Sequence, residues 1–558
     1  MVAIALAKHI AGKTQGWKLL PIGSLVLVLA AGLPIISLLI AAFGAVPSGN
    51  SGLLARMLPI ALRDTGWLML QVGIATGTIG LLAAWLVAHF DFPGRRLLDW
   101  GLVLPLAIPT YLSAYAWVEF LDFTGPIQTG VRMLTGASSI RDYWFPEIQT
   151  PAGAALVMSL VLYPYVYLSC RAFFLMQSGS MTAASRVLGA GAYRTFFTIA
   201  LPLSRPAIVV GVTLALMEVL NDLGAVQYFG VNSLTAVIYS TWLNRANFAG
   251  AAQLAVTIVL IVGILIWAEQ HEAKRRRYLG HRDSQTPPPL ERLYGWRAFA
   301  ASAACTLLLA LGFGVPVFEL VSLSAKYLMA GRSVAGILPA LFNTLTLAFM
   351  GALVCVVIGL YSARHFNSKR TGRSAKGMLR IATLGYALPG TVLALGLTAP
   401  LGLLDGWLND FTRATLDWMP GLIISGSFFA LVYAYSIRFL AVSHNTLDAA
   451  IKRRGPSLLD AAQVLGAHGW RLAFRVDLPT LTPAIISAAT LVFVECVKEL
   501  PATLLLRPLG VETLATLVYQ QASAEVFTSA ALPALAIVLA GLVPVVLASH
   551  LSGRRRVS

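Results

Sequence analysis

MTAASRVLGAGAYRTFFTIALPLSRPAI (residues 181–208) and LLDAAQVLGAHGWRLAFRVDLPTLTPAI (residues 458–485) are two islands of mixed polarity in a chain otherwise built of long apolar runs. Each carries arginines, a Leu-Gly step and a later Leu-Pro step. Gly189 recurs as Gly466, Pro202 as Pro479 and Pro206 as Pro483, always 277 residues on. The chain is therefore a duplication, and these stretches are one polar surface made twice.

The surroundings are those of a membrane protein. Of 558 residues, 57% are hydrophobic and 12% charged, with mean hydropathy +0.76, which is too apolar for an ordinary soluble domain. A bilayer core of about 30 Å needs about 20 apolar helical residues. That criterion predicts twelve spans, at 19–43, 66–88, 99–119, 151–175, 204–224 and 249–268, then 296–321, 341–363, 381–404, 420–442, 481–503 and 525–548. The expected fold is all-α and polytopic.

The net charge of +17 could suggest nucleic acid, but most of the Lys and Arg fall in loops that this topology puts on one side, which is the positive-inside pattern. With the N-terminus inside, that side holds Arg95 and Arg96, both polar islands, Lys274 to Arg277, Lys369 to Lys376 and Arg554 to Arg556. Both termini are then cytoplasmic. Six spans per half is an even number, so the halves share an orientation and form a parallel repeat about an axis along the membrane normal. The expected divisions are 1–270, a Pro-rich cytoplasmic linker at 271–295 containing Pro287 to Pro289, and 296–558.

Within each island Gly189 or Gly466 permits a tight turn, and Pro202 or Pro479 suits the first turn of the next helix. Between them one short helix is expected, carrying Tyr193, Arg194, Phe196 and Phe197 in one copy and Trp470, Arg471 and Phe474 in the other. Three turns alone in water are marginal, so the surface is either completed by a partner or laid against lipid headgroups.

Charged residues inside spans are costly and are functional candidates. Glu218 and Asp222 recur 277 residues on as Glu495 and Glu499, and the i,i+4 spacing predicts that each pair shares a helix face. Four carboxylates lining a path would favour a cationic solute. The alternative is local pairing, for instance of Glu499 with Lys498, Arg507 or backbone freed at Pro501.

Cys170, Cys305, Cys355 and Cys496 stand singly in apolar runs, so neither a disulfide framework nor a metal cluster is indicated. AKHIAGKT at Ala7 to Thr14 resembles a phosphate-binding loop but lacks its first glycine. No catalytic constellation is present, and an enzyme activity of the chain itself is not expected.

The pattern Ala-Ser/Ala-x-x-Leu-Gly-Ala, then Arg, Phe and Leu-Pro-x-x-x-Pro-Ala-Ile, resembles the EAA loop of binding-protein-dependent ABC importer permeases. That resemblance implies the type I importer permease fold in a bacterial inner membrane, with a coupling helix in each loop. It also implies two copies of an ATPase subunit, which would bind ATP and Mg, and a periplasmic solute-binding protein. No cofactor is implied in this chain. ATPase-coupling positions carried over are Ala184, Arg186, Gly189, Arg194, Phe197 and Pro202, then Asp460, Ala461, Gly466, Trp470, Arg471, Phe474 and Pro479. The family's leading acidic residue is matched by Asp460 but by Ala183 in the first copy, so unequal ATPase contacts are expected.

Residues 493–516 (FVECVKELPATLLLRPLGVETLAT) and 216–239 (LMEVLNDLGAVQYFGVNSLTAVIY) resemble fused iron(III) importer permeases more narrowly. That resemblance implies ferric iron as solute, with a thiamine or other small-solute permease as the alternative. All eight histidines lie in or near inner-side segments, and Tyr111, Tyr115 and Tyr163 are further oxygen donors or packing residues. Coordination of ferric iron, which favours hard oxygen donors, is thus expected in the binding protein. A cation-coupled secondary transporter would also use intramembrane carboxylates but gives no reason for two aromatic docking helices.

Overall fold

A computed structural model describes residues 27–44, 51–139, 141–176, 191–279, 290–367, 384–455 and 457–553. Among them eight helices are long and apolar enough to cross a membrane: Ala55–His89, Pro151–Met176, Tyr193–Asn221, Phe248–Glu272, Gly295–Met329, Ile337–His365, Gly390–Leu416 and Gly469–Lys498. The pair Arg95–Ala107 and Thr110–Thr135, bent by 96°, makes a ninth if counted as one crossing. The other three predicted spans are helical as well, in Leu27–Ala42, Phe428–Arg454 and Phe527–Leu542. Helices close their own backbone hydrogen bonds, which an apolar solvent requires. Large apolar side chains such as Trp67, Ile74, Leu260, Phe342 and Phe349 are left exposed on the helix surfaces, where lipid rather than water suits them.

The bend has a local cause that recurs. A 3-10 turn at Leu104–Ala107 runs into Ile108 in the extended region, then Pro109 at φ −54° and ψ 143°. Proline disfavours the helical region for its predecessor, so the chain must turn before the helix from Thr110. The second repeat does the same at Leu384–Ala387, with Pro389 at φ −55° and ψ 144° before Gly390.

The chain forms two compact units. One holds Met1–Gly44, Val334–Thr516 and Leu539–Ser558. In it the helix of Ile337–His365 packs on Phe428–Arg454 and Gly469–Lys498. The first described helix, Leu27–Ala42, joins this unit, with Ala30 O accepting from Tyr433 Oη at 2.8 Å. The other unit holds Ala45–Ser333 and Leu517–Val538. There the helices Ala55–His89 and Tyr193–Asn221 both lie against Pro151–Met176, and small residues set the approach. A Cβ on Gly80 would lie 2.7 Å from that of Val166, and one on Gly211 would lie 2.5 Å from Val166 Cα. The helix Gly295–Met329 also belongs to this unit, packing on Thr110–Leu121. The units therefore cut across the sequence halves: the one built on Val334–Thr516 takes in Leu27–Ala42, and the other takes in Gly295–Met329 and Leu517–Val538.

Candidate coupling and translocation sites

Of the thirteen coupling positions, Ala184, Arg186 and Gly189 lie outside the described residues. The second copy is described throughout the motif. Its helix Ser457–Val464 ends in a Schellman arrangement: Gly466 at φ 86° donates to Gln463 O at 3.0 Å, and Ala467 donates to Ala462 O at 2.9 Å. Glycine is needed there because the left-handed conformation penalises a Cβ. Asp460 and Ala461 lie exposed on this helix.

The expected separate short helix is corrected by the structure. Tyr193–Asn221 and Gly469–Lys498 are each continuous through the Leu-Pro step. The reason is a wide five-residue π turn, Phe196–Ala200 in one copy and Ala473–Asp477 in the other, placed just before Pro202 and Pro479. Proline in a helix collides with the carbonyl four residues back, and a π turn changes the local hydrogen-bond spacing that causes the collision. The aromatic segment and the span are thus one continuous helix.

On that helix the same aromatic pair is presented twice. Tyr193 and Phe197 are in ring contact at 4.7 Å, and Trp470 and Phe474 at 5.3 Å. Tyr193 is 79% exposed and Trp470 78%. Arg194 and Arg471 are exposed beside them, as are Val464 and Leu465. An exposed apolar cluster flanked by arginine has the composition of a surface that meets either a protein partner or lipid headgroups.

The seats beneath the two surfaces differ in chemistry. Phe196 is buried against Trp85 at 5.3 Å, and Trp85 meets Phe174 at 5.4 Å, within an aromatic cluster that includes Ala200. Where the first copy has Ala200, the second has Asp477. Its carboxylate pairs with Arg364 at 2.6 Å and with Arg454, and Arg454 also donates to Thr480 Oγ1 at 3.1 Å.

The four acidic residues divide by position rather than by repeat. The helices end at Asn221 and Lys498, so Asp222 and Glu499 are C-cap residues with extended ψ of 128° and 115°. The predicted shared face is therefore corrected: the second acid of each pair leaves the helix. Pro501 and Gly224 account for the break, since neither favours continuing a helix. Asp222 Oδ1 accepts from Ala225 N at 2.7 Å and Glu499 Oε1 from Ala502 N at 3.0 Å, so each carboxylate caps the short helix that follows.

What satisfies the rest of each carboxylate differs. Thr110 donates to Asp222. Arg438 pairs with Glu499 at 3.0 Å, both side chains nearly fully buried. The cation predicted for Glu499 was Lys498 or Arg507, but those pair with Glu495 at 3.4 Å and with Glu512. Arg438 was missed although it is a lone charge in an apolar stretch, the kind of residue that demands a partner. Glu218 and Glu495 remain half-buried, with Tyr165 Oη 3.5 Å from Glu218. Tyr111, Tyr115 and Tyr163 are all buried. No group of three or more His, Cys, Asp or Glu side chains able to hold a metal occurs among the described residues.

The repeat, the broken spans and the twice-presented aromatic pair lie within segments that match one protein family. The model of the binding-protein-dependent transport system inner membrane component matches residues 76–277 and again 355–557. The chain belongs to this family. Its two matched segments place it among permeases, the membrane subunits of ABC importers, as a double-domain member. It is similar to an Fe(3+)-transport system permease protein of Haemophilus influenzae, 25% identical over 87% of this chain and 88% of that one. A molybdenum transport system permease protein of Escherichia coli is 30% identical over 36% of this chain and 86% of its own. The sulfate transport system permease protein of the same organism is 26% identical over 37% and 74%. Such a permease is a transporter subunit and not a catalytic one.

Proposed function

We propose that this permease moves ferric iron, delivered by a periplasmic binding protein, into the cytoplasm by alternating access. Two copies of a separate ATPase, binding ATP and Mg, drive it through the segments around Tyr193–Phe197 and Trp470–Phe474, with both termini cytoplasmic. Residues 1–270 and 296–558 act as the two permease repeats on either side of the linker 271–295. The observation that carries the reading is the exposed aromatic pair repeated at equal offsets, each rigidly continuous with a span that ends at a carboxylate cap. A partner gripping the aromatic pair therefore moves the span without an intervening joint. The iron assignment is supported by similarity to the Fe(3+) permease along most of both chains and by the acidic residues Glu218 and Glu495. Asp222 and Glu499, buried and capped, hold the break in the span.

The test is reconstitution with the ATPase in proteoliposomes and comparison of hydrolysis stimulated by ferric-loaded and thiamine-loaded binding proteins. Stimulation by the ferric form is expected. A response to the thiamine form alone would overturn the solute assignment. Trp470→Ala with Phe474→Ala is expected to release the ATPase from the purified complex.

A further inference from the structure

We propose that Tyr239 and Tyr519 form the constriction of the solute path, with the hydrogen bond from Tyr519 to Gln227 as its latch. The proposal deepens the permease reading and rests on it. Tyr239 ends the helix Leu234–Tyr239, and Tyr519 lies in the helix Leu514–Ser523. These helices begin 280 residues apart, as do the left-handed glycines before them, Gly230 at φ 68° and Gly510 at φ 78°. The two tyrosines have that same separation and so hold equivalent places in the two repeats. Their rings nevertheless touch, edge to face, with centroids 6.5 Å apart and planes at 72°. Equivalent residues of a duplicated chain can touch only where the two copies meet, which is where a path formed by both copies would pass.

The latch connects this contact to the broken span. Tyr519 Oη donates to Gln227 Oε1 at 2.5 Å. Gln227 stands on the short helix Gly224–Tyr228, whose N-terminal turn is held by Asp222. The next residue, Tyr228, sits edge-on against Tyr115 at 4.7 Å and Phe527 at 5.6 Å. All of these residues belong to one compact unit. A shift of the span that ends at Asn221 carries Asp222, the short helix and Gln227 with it, and draws the amide away from Tyr519. The equivalent of Gln227 in the second repeat is Leu504, so the latch is built once. Phenol and amide oxygens are neutral hard donors, which let a cation exchange water for oxygen without a fixed charge to trap it.

The experiment uses the whole complex in proteoliposomes with Tyr239→Cys and Tyr519→Cys combined. The native cysteines are all buried, so a short bis-methanethiosulfonate selects the introduced pair. Crosslinking in the nucleotide-free state is expected to lower uptake at least tenfold, with recovery on adding reductant. Gln227→Leu, without crosslinker, is expected to raise nucleotide-independent leak several-fold. Should the double variant fail to assemble, Tyr519→Cys alone carrying a bulky methanethiosulfonate is expected to lose uptake, whereas the same label at exposed Ala524→Cys does not block it. A crosslink that forms and leaves uptake unchanged, or a pair that cannot be crosslinked in an assembled complex, overturns the proposal. Uptake is followed with whichever solute the wild-type complex carries, so a thiamine result would remove the iron assignment and leave the constriction under test.

Discussion

Gly390 faces Glu499 so closely that a Cβ on it would lie 2.4 Å from Glu499 Oε1 and 2.5 Å from a guanidinium nitrogen of Arg438. The equivalent place in the first repeat, also directly after the proline that starts the helix, is Thr110, whose hydroxyl serves Asp222. One repeat thus fills the space with a small donor, and the other empties it to admit an arginine.

Gly390→Ala is therefore expected to disrupt the Arg438–Glu499 pair and lower the thermal midpoint of the purified permease. Arg438→Leu should do so more strongly, because leaving one partner of a buried pair alone costs about 3–5 kcal/mol. Adding Glu499→Gln to Arg438→Leu should recover most of the loss, since a neutral amide needs no counterion. Thermal unfolding in detergent checks all three. Equal midpoints for Arg438→Leu and the double variant would show that the charge pairing is not what matters.

Asp142 offers a pH dependence outside the spans. Its carboxylate accepts from the backbone N–H groups of Ser138 at 2.9 Å and Ser139 at 2.7 Å, and these bonds hold its pKa below the usual 3.8. A depressed carboxyl pKa contributes order to the loop above the ordinary carboxylate range. The contribution fades as pH falls through the lowered value. Amide-exchange protection at Ser138 and Ser139, taken relative to the intrinsic rate at each pH, is expected to hold at pH 5 and to be lost only at strongly acidic pH. Asp142→Ala should remove it at both, and unchanged protection in that variant would refute the cap.

The helices were legible because apolar length is a strong signal: each of the twelve predicted stretches contains described helix, although 99–119 is broken at Ile108 and Pro109 and 420–442 is helical only from Phe428. The duplication was legible because Gly466 and Pro479 repeat their partners at a fixed offset. Hydrogen-bond geometry was harder to foresee. Nothing local at FFTIA or AFRVD announces a π turn, because the turn answers a proline further along the chain. The fate of Glu499 depended on Arg438, 61 positions away, and on a missing Cβ at Gly390. Spacing along one helix cannot reveal a partner brought in from another.

Close packing at Gly80 gives a prediction about assembly. A Cβ there would stand 2.7 Å from Val166 Cβ and 2.8 Å from Tyr163 O. Small residues let membrane helices approach, and without water to expel, that contact supplies much of their attraction. Gly80→Leu is expected to reduce the yield of monodisperse permease in size-exclusion chromatography several-fold. Gly263→Leu, where a Cβ would meet nothing within 4 Å, should leave the yield near wild type.

The unequal seats of the two aromatic segments give the last prediction. Phe196 is held by Trp85 and Phe174 through ring contacts, whereas Asp477 is held by Arg364 and Arg454. Charged hydrogen bonds are worth about 1.5–3 kcal/mol each, and Phe→Ala in a packed cluster costs about 3–5 kcal/mol, so both seats are strong at low salt. They diverge as salt rises. At 1 M the screening length is about 3 Å, which weakens the partly exposed Arg364 contact and leaves aromatic packing intact. Cysteines replacing Arg194 and Arg471, labelled separately with a spin probe, should report this directly. Salt is expected to broaden the motion of the label at 471 and not at 194. Asp477→Asn should mobilise 471 at low salt, and Phe196→Ala should mobilise 194 at any salt. Equal responses at both positions would show that the exchange of Ala200 for Asp477 does not change what anchors each segment.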